Sequence, residues 1–322
     1  MPDRRVIGVD MGGTKLLAGA VDGRLSVHHR LQRPLTGLDQ PKLLDTVTEA
    51  VQEAIDNAGG EVDAVGFGIP CTFDQRTGTA VLAINLDMKD LAFGAIMSER
   101  LGVSCYVDND ANMAALAELR AGVATGVNDA LMLTIGTGIG GGLILNGALY
   151  RGSIGAGAEL GHMVIQADGP RCQGNCPNRG CVESLASGTA LEREARRVAD
   201  QQPDSALGQA FSAGRAPLGP LVTELAHDGD PVAREVLELI GTRLGVAFSS
   251  YTNMFNPELI IVGGGVMAAG DLLLEPARRE LAKRALPPAR DTVQVVAARF
   301  GFEAGMIGAA ALALEGDSEV RA

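Results

Sequence analysis

One device occurs twice in this 322-residue chain, and it limits the possible folds more than any other feature. Residues 6–9 run into Asp10-Met-Gly-Gly-Thr-Lys15 and leave through an apolar run, 16–21, that ends at Asp22-Gly23. Residues 131–135 run into Gly136-Thr-Gly-Ile-Gly-Gly-Gly142 and leave through Leu143-Ile144-Leu145 to Asn146-Gly147, a hairpin turn signal. Each reads as strand, glycine turn, strand. A turn nearly free of side chains lets successive backbone N–H groups face phosphate oxygens. The spacing of about 125 residues points to two halves with one phosphate turn each, able together to hold one nucleotide across a cleft.

Two other motifs overlap these turns. Gly136, Gly138 and Gly141 fit the dinucleotide fingerprint G-x-G-x-x-G, with Glu159 near the position of a ribose contact. That fingerprint must open a helix, whereas the segment here is strand-like and closes in Asn-Gly. The first turn approaches a phosphate-binding Walker loop, but Thr14 stands before Lys15 where that motif has glycine, and an apolar strand follows.

A net charge of −12 disfavours nucleic acid and anionic membranes as partners, because phosphate backbones and headgroups select a basic surface. It does not disfavour a single nucleotide held by local loops. No apolar run reaches membrane-spanning length and no signal peptide is evident, so the expectation is a cytoplasmic protein. Cys71 and Cys105 stand alone in apolar surroundings, as small core residues do.

Helical spacing appears over residues 39–58, 91–101, 111–121, 185–199, 231–255 and 305–314, and strands are expected at 62–69, 103–107, 259–262 and 293–298. Residues 73–79 read as a turn, 200–220 as a surface connection and 315–322 as a charged tail, while Gly263-Gly264-Gly265 is expected to open a helix. The alternation implies an α/β protein.

Four groups carry chemistry. Asp10 would repel phosphate unless a cation sits beside it, which suggests a Mg²⁺ ligand acting through water. Thr14 can donate its hydroxyl to phosphate. Asp108-Asn109-Asp110 stands where a strand ends and a helix begins, a place where Asp or Asn can simply cap the helix and where ligand sites also form. Asp110 is the candidate general base for phosphoryl transfer. Glu159 and His162 are three apart, so one helical turn places them on one face. His162 with Cys172, Cys176 and Cys181 makes a closed zinc set, and that loop would hold Glu183 in place.

Together these residues resemble the ROK family (repressors, open reading frames and sugar kinases), and within it the bacterial glucokinases. The resemblance rests on Asp10-Met-Gly-Gly-Thr14, Asp108-Asn-Asp-Ala-Asn112, Gly136-Thr-Gly-Ile-Gly-Gly-Gly142, Glu159-Leu-Gly-His162, Cys176-Pro-Asn-Arg-Gly-Cys181-Val-Glu183 and Gly263-Gly-Gly265, and spans nearly the whole chain. It implies an actin-like fold of two ribonuclease-H-like domains around a cleft, 1–118 plus about 303–322 and 119–302, the second bearing the zinc loop and a dimerisation surface. It implies an ATP-dependent kinase in which Asp110 takes the proton from the glucose 6-hydroxyl. Asn109, Glu159, His162 and Glu183 would bind the sugar hydroxyls, with Gly68 and Asn85 nearby. Gly12, Gly13, Thr14 and Lys15 with Thr137 and Gly138 would line the phosphates, and Gly264 and Gly265 the adenosine. ATP with Mg²⁺, a structural Zn²⁺ and a homodimer or homotetramer complete the expectation.

The chain departs from the family pattern twice. The family's cysteine loop is C-x-C-x₄-C, whereas this one has two more residues between Cys172 and Cys176. The aromatic usual in the sugar loop is absent, and Met88 stands in that region. Other hexoses (N-acetylglucosamine, N-acetylmannosamine, mannose, fructose) and polyphosphate as donor remain open at this point. A sugar-sensing regulator would carry a helix-turn-helix segment ahead of the kinase-like part, and only about five residues precede the first strand here.

Overall fold

A computed structural model describes residues 4–74, 77–83, 86–216 and 218–321. In chain order they form β1 (Arg5–Met11), β2 (Lys15–Asp22), β3 (Val27–Pro34), α1 (Gln40–Asp56), β4 (Val62–Ile69), β5 (Cys71–Asp74), β6 (Thr79–Ala83), β7 (Lys89–Leu91), α2 (Phe93–Leu101), β8 (Ser104–Asn109) and α3 (Asp110–Ala121). There follow β9 (Ala130–Ile135), β10 (Ile139–Leu145), β11 (Ala148–Leu149), α4 (Val182–Ala186), α5 (Gly188–Gln201), α6 (Ala206–Ser212), α7 (Leu218–His227) and α8 (Pro231–Phe255). The chain ends with β12 (Leu259–Gly263), α9 (Asp271–Arg284), α10 (Ala289–Thr292), β13 (Gln294–Ala297) and α11 (Ala304–Arg321).

The repeat expected from the glycine turns is present in the sheets. One five-stranded sheet has the order β3-β2-β1-β4-β8 and the other β11-β10-β9-β12-β13. In the first, β1, β2 and β3 form an antiparallel meander and β4 and β8 run parallel beside β1. In the second, β12 is parallel to β9 and β13 to β12, while β10 and β11 are antiparallel. Each glycine turn thus joins a central strand to its hairpin partner. Asn146 and Gly147 both adopt positive φ, 53° and 72°, as the Asn-Gly turn signal requires.

Two compact units divide the chain. One holds the N-terminal residues to Val127, Gly142–Ala158 and Arg299 onward, and the other Asn128–Gly141 and Glu159–Ala298. These bounds differ from the expected 1–118 plus about 303–322. Helix α3 runs unbroken to Ala121, and buried Glu118 on it accepts N–H groups from Val123 at 2.9 Å, Arg299 at 2.7 Å and Phe300 at 3.1 Å. That one carboxylate ties the segment that begins at Arg299 to the end of α3 and the turn after it.

In the first unit, α11 lies so close to β1 and β4 that a side chain at Gly8 or Gly66 would run into its backbone at Met306 or Ala309. This explains the small-residue composition of α11. On the other side, Phe67 of β4 meets Phe93 of α2 edge-on, with ring centres 5.1 Å apart. In the second unit, long α8 starts at Pro231, is capped by Asp230 accepting from Ala233 N–H at 2.7 Å, and buries Leu237, Ile240, Leu244 and Phe248.

Three local expectations change. Residues 200–220 contain α6 and the start of α7 rather than only a connection. Gly263–Gly265 opens a single 3₁₀ turn, residues 265–269, and the helix proper waits until Asp271. Helix α11 continues to Arg321 where a tail was expected.

Candidate active site

In the first unit, the end of β8 and the start of α3 settle which residue caps the helix. Asn109 is the cap: its Oδ1 accepts from the N–H groups of Ala111 at 2.9 Å and Asn112 at 3.3 Å. Asp110 is the first helical residue, and its Oδ1 accepts from Ala111 N–H at 2.9 Å. The capping duty that could have explained Asp110 therefore falls on its neighbour. Gly68, at the end of β4, lies directly beneath: a Cβ there would stand 3.5 Å from Asp110 Cα and 3.0 Å from Met113 Cγ. The strand can approach the helix start only without a side chain.

Asp108 supports this corner from within. It is 1 % exposed, and it accepts from Asn109 N–H at 2.7 Å, Asn112 Nδ2 at 2.9 Å and Arg151 Nε at 2.6 Å. Sequence reasoning singled out the Asp108-Asn109-Asp110 triplet but missed Arg151, which lies 43 residues away in a glycine-rich segment.

The first glycine turn is tight, with Gly12 N–H bonded to Lys15 carbonyl at 2.8 Å, and it leaves Thr14 and Lys15 exposed. Asp10 lies at the end of β1, its carboxylate against Gly305 of α11, where any side chain would collide with it. Burial, reinforced by the charge of Asp110 and partly offset by Lys15, raises the Asp10 carboxyl to about 7. Two carboxylates in repulsion are chemically suited to a cation between them. Met88 is buried, 1 % exposed, and takes the place in the core that its apolar side chain favours. Asn85 lies outside the described residues.

In the second unit, the turn Gly136–Ile139 is held at nearly every polar group. Gly136 N–H donates to Gly138 carbonyl at 2.9 Å, and Gly188 N–H donates to Gly136 carbonyl at 2.8 Å. Thr137 carbonyl accepts from Thr189 Oγ1 at 2.9 Å, and Ile139 N–H donates to Glu183 Oε2 at 2.9 Å. Among the described residues, none accepts from the N–H groups of Thr137 or Gly138. These two donors are what the turn offers to a phosphate. Gly138 must lack a side chain because a Cβ there would meet the Glu183 carboxylate.

A pocket of about 410 Å³ adjoins this turn, with Gly136, Thr137, Gly188, Thr189, Gly265 and Val266 among its walls. Gly264 shapes it from below: its φ is +90°, and a Cβ would strike the backbone of Ile135. The N-terminal residues of α5 in this wall escaped sequence reasoning, although Ser187, which caps α5 by accepting from Ala190 N–H, marked the helix start.

Glu159 and His162 flank one 3₁₀ turn, closed by His162 N–H to Glu159 carbonyl at 3.0 Å. Buried Tyr251 of α8 donates its hydroxyl to Leu160 carbonyl at 2.5 Å and holds that turn. His162 Nε2 faces Glu159 Oε2 at 3.9 Å, while its Nδ1 lies 3.5 Å from Cys172 Sγ. Cys176 and Cys181 Sγ are 3.9 Å apart, and all four ligand atoms lie within 4.8 Å of one another. Zinc bonds of about 2.0–2.3 Å in a tetrahedron require ligand–ligand edges of roughly 3.5–3.8 Å, so the set fits zinc with little movement. Cys172 takes part despite the longer spacing. The cluster also places Glu183, two residues beyond Cys181, with Oε1 3.6 Å from Cys172 Sγ.

The model of the ROK family matches residues 6–316. The chain is 36 % identical to the glucokinase of Streptomyces coelicolor over 320 residues, covering 97 % of this chain and 98 % of that protein. It is 32 % identical to the glucokinase of Thermotoga maritima over 317 residues, covering 98 % and 99 %. Among solved structures, a ROK family glucokinase from Streptomyces griseus in complex with glucose and AMPPNP superposes with a TM-score of 0.85 at 35 % identity, covering 97 % of this chain and all of that one. Such likeness over the full length, with the glycine turns and the cysteine cluster formed, shows that the chain belongs to the ROK family.

Proposed function

We propose that this protein is a glucokinase that transfers the γ-phosphoryl group of ATP to the 6-hydroxyl of glucose. The observation that carries this reading is the full-length likeness to glucokinases, one of them solved with glucose and AMPPNP. The reaction needs little covalent chemistry from the protein. The sugar 6-oxygen attacks the γ-phosphorus, the bond to the β,γ-bridging oxygen breaks, ADP leaves, and the hydroxyl proton goes to a carboxylate. Asp110 is that carboxylate, since Asn109 relieves it of the helix cap.

Asn109, Glu159, His162 and Glu183 hold the sugar hydroxyls, and the family resemblance assigns Gly68 and Asn85 to the sugar as well. Glu183 is more constrained than the others, because one of its oxygens is already engaged by Ile139 N–H. With a zinc ion held at His162 Nδ1, Nε2 would carry the proton and could donate to a sugar hydroxyl. Thr137 and Gly138 N–H groups meet phosphate oxygens, as do Gly12, Gly13, Thr14 and Lys15. The adenosine occupies the pocket at Gly264 and Gly265. Mg²⁺, when bound with ATP, neutralises phosphate charge, and Asp10 holds it through water. The zinc set is structural. The family resemblance supports a homodimer or homotetramer in the cytoplasm. Among the described residues, no helix is long and apolar enough to cross a membrane.

The test is catalytic efficiency with ATP across a panel of sugars. Glu159 and Glu183 are acceptors suited to free hydroxyls, so glucose should exceed N-acetylglucosamine, N-acetylmannosamine and fructose. A higher kcat/KM for any of these would overturn the assignment.

A further inference from the structure

The longer cysteine loop places Gln173 where it touches the glycine turn. Its Nε2 donates to Ser187 Oγ at 3.0 Å and to Thr137 carbonyl at 3.4 Å. Thr189 donates to the same carbonyl twice, from Oγ1 at 2.9 Å and from its backbone N–H at 3.4 Å. This carbonyl shares a planar peptide unit with Gly138 N–H, and in a trans peptide the two point in opposite directions. Holding the Thr137 oxygen toward Gln173 and Thr189 therefore aims the Gly138 N–H the other way. That N–H is one of the two donors in the turn with no acceptor among the described residues. The peptide turns about ψ of Thr137 and φ of Gly138, and the glycine leaves the second torsion permissive, so the donors on the Thr137 carbonyl help to fix its orientation.

We infer that Gln173 and Thr189 are positioning residues for the nucleotide: they fix the 137–138 peptide so that Gly138 N–H faces the phosphates. The inference rests on the reading of this turn as the phosphate site. It assigns a second task to the cysteine loop. Through Gln173 and through Glu183, which takes up Ile139 N–H, the loop orients the nucleotide turn as well as the sugar-binding side chains. Gln173, which makes this contact, follows Cys172 directly, inside the stretch that is two residues longer than the family pattern.

The experiment is calorimetric titration of the full chain with ADP and, separately, with adenosine, both without sugar. The variants are Gln173→Met, which keeps the length but loses the donor, Gln173→Glu, which puts negative charge beside the carbonyl, and Thr189→Val, which removes the stronger of the two Thr189 donors, its hydroxyl, from outside the cysteine loop. One hydrogen bond lost corresponds to about five-fold in affinity. ADP affinity should fall about five-fold in Gln173→Met and in Thr189→Val, and further in Gln173→Glu, while adenosine affinity stays within about two-fold. Zinc content, measured by mass spectrometry, should stay at that of the parent protein. If zinc is lost from the Gln173 variants, Thr189→Val decides the matter alone. Unchanged ADP affinity in Gln173→Met and Thr189→Val overturns the inference, and so does an equal loss for adenosine, which would mean that these residues merely shape the pocket. A parent protein that binds no ADP would remove the nucleotide reading itself, and the inference with it.

Discussion

Replacing Asp110 by Asn separates catalysis from helix capping with one change. The new side chain keeps an oxygen at the position that accepts from Ala111 N–H at 2.9 Å, and Asn109 still caps α3. What the fold loses is one negative charge at a helix N-terminus, worth about 0.3–1 kcal/mol. What the reaction loses is its proton acceptor, worth about 10²- to 10⁴-fold in rate, or roughly 2.7–5.5 kcal/mol of barrier. Turnover, followed by coupled ADP release, should drop by that factor while the midpoint of thermal unfolding barely moves. Asn109→Ala provides the contrast on stability: it removes the cap, costs about 1 kcal/mol, and shows it in urea unfolding. If Asp110→Asn turns over within ten-fold of the parent, the base lies elsewhere and the reasoning from the cap geometry fails.

Other consequences can be measured directly. Purified protein should hold about one zinc per chain, and removing it should raise KM for both glucose and ATP, because the cluster carries His162 and Glu183 and its loop carries Gln173; folded, zinc-free protein with both constants unchanged would contradict this. Glu118→Ala leaves three backbone N–H groups without their acceptor and should cost about 3 kcal/mol or more in urea unfolding; a loss under about 1 kcal/mol would show that water replaces the carboxylate. Partial burial alone would raise the Asp22 carboxyl, but the His28 hydrogen bond and the N–H groups of Ser26 and Arg24 outweigh it and bring it down to about 2. A depressed carboxyl stabilises the fold above its unfolded value and loses that contribution as pH falls toward the folded one. The stability deficit of Asp22→Asn should therefore be full above about pH 4 and vanish near pH 2, and a deficit independent of pH across that window would refute it.

What the sequence disclosed follows from how local each feature is. The hairpins show because apolar runs, glycines and Asn146-Gly147 are adjacent in the chain. Helix α8 shows because Pro231 starts it and an apolar stripe runs its whole length. The candidate metal set shows because His162, Cys172, Cys176 and Cys181 fall within twenty residues. Helices α6 and α7 did not show, since their faces are interrupted by Gly208, Gly219 and Pro220, the last two in the first turn of α7, where proline costs little. Glu118 read as a helix former, and its three backbone partners lie up to 182 residues away. Glu183 and Ile139, 44 residues apart, and Asp108 and Arg151, 43 apart, were likewise beyond local reasoning. The triplet Asp108-Asn109-Asp110 was visible as a site, but its division of labour was not. The side-chain bonds show Asp108 binding within and Asn109 capping, which the sequence pattern of the triplet could not distinguish.

The most direct test of the account is to identify the product. Incubating the protein with ATP, Mg²⁺ and glucose and recording phosphorus-31 spectra should show equal growth of ADP and of a phosphomonoester at the glucose 6-position, abolished in Asp110→Asn. A phosphoryl group at another hydroxyl, or ADP formed without sugar phosphate, would contradict it.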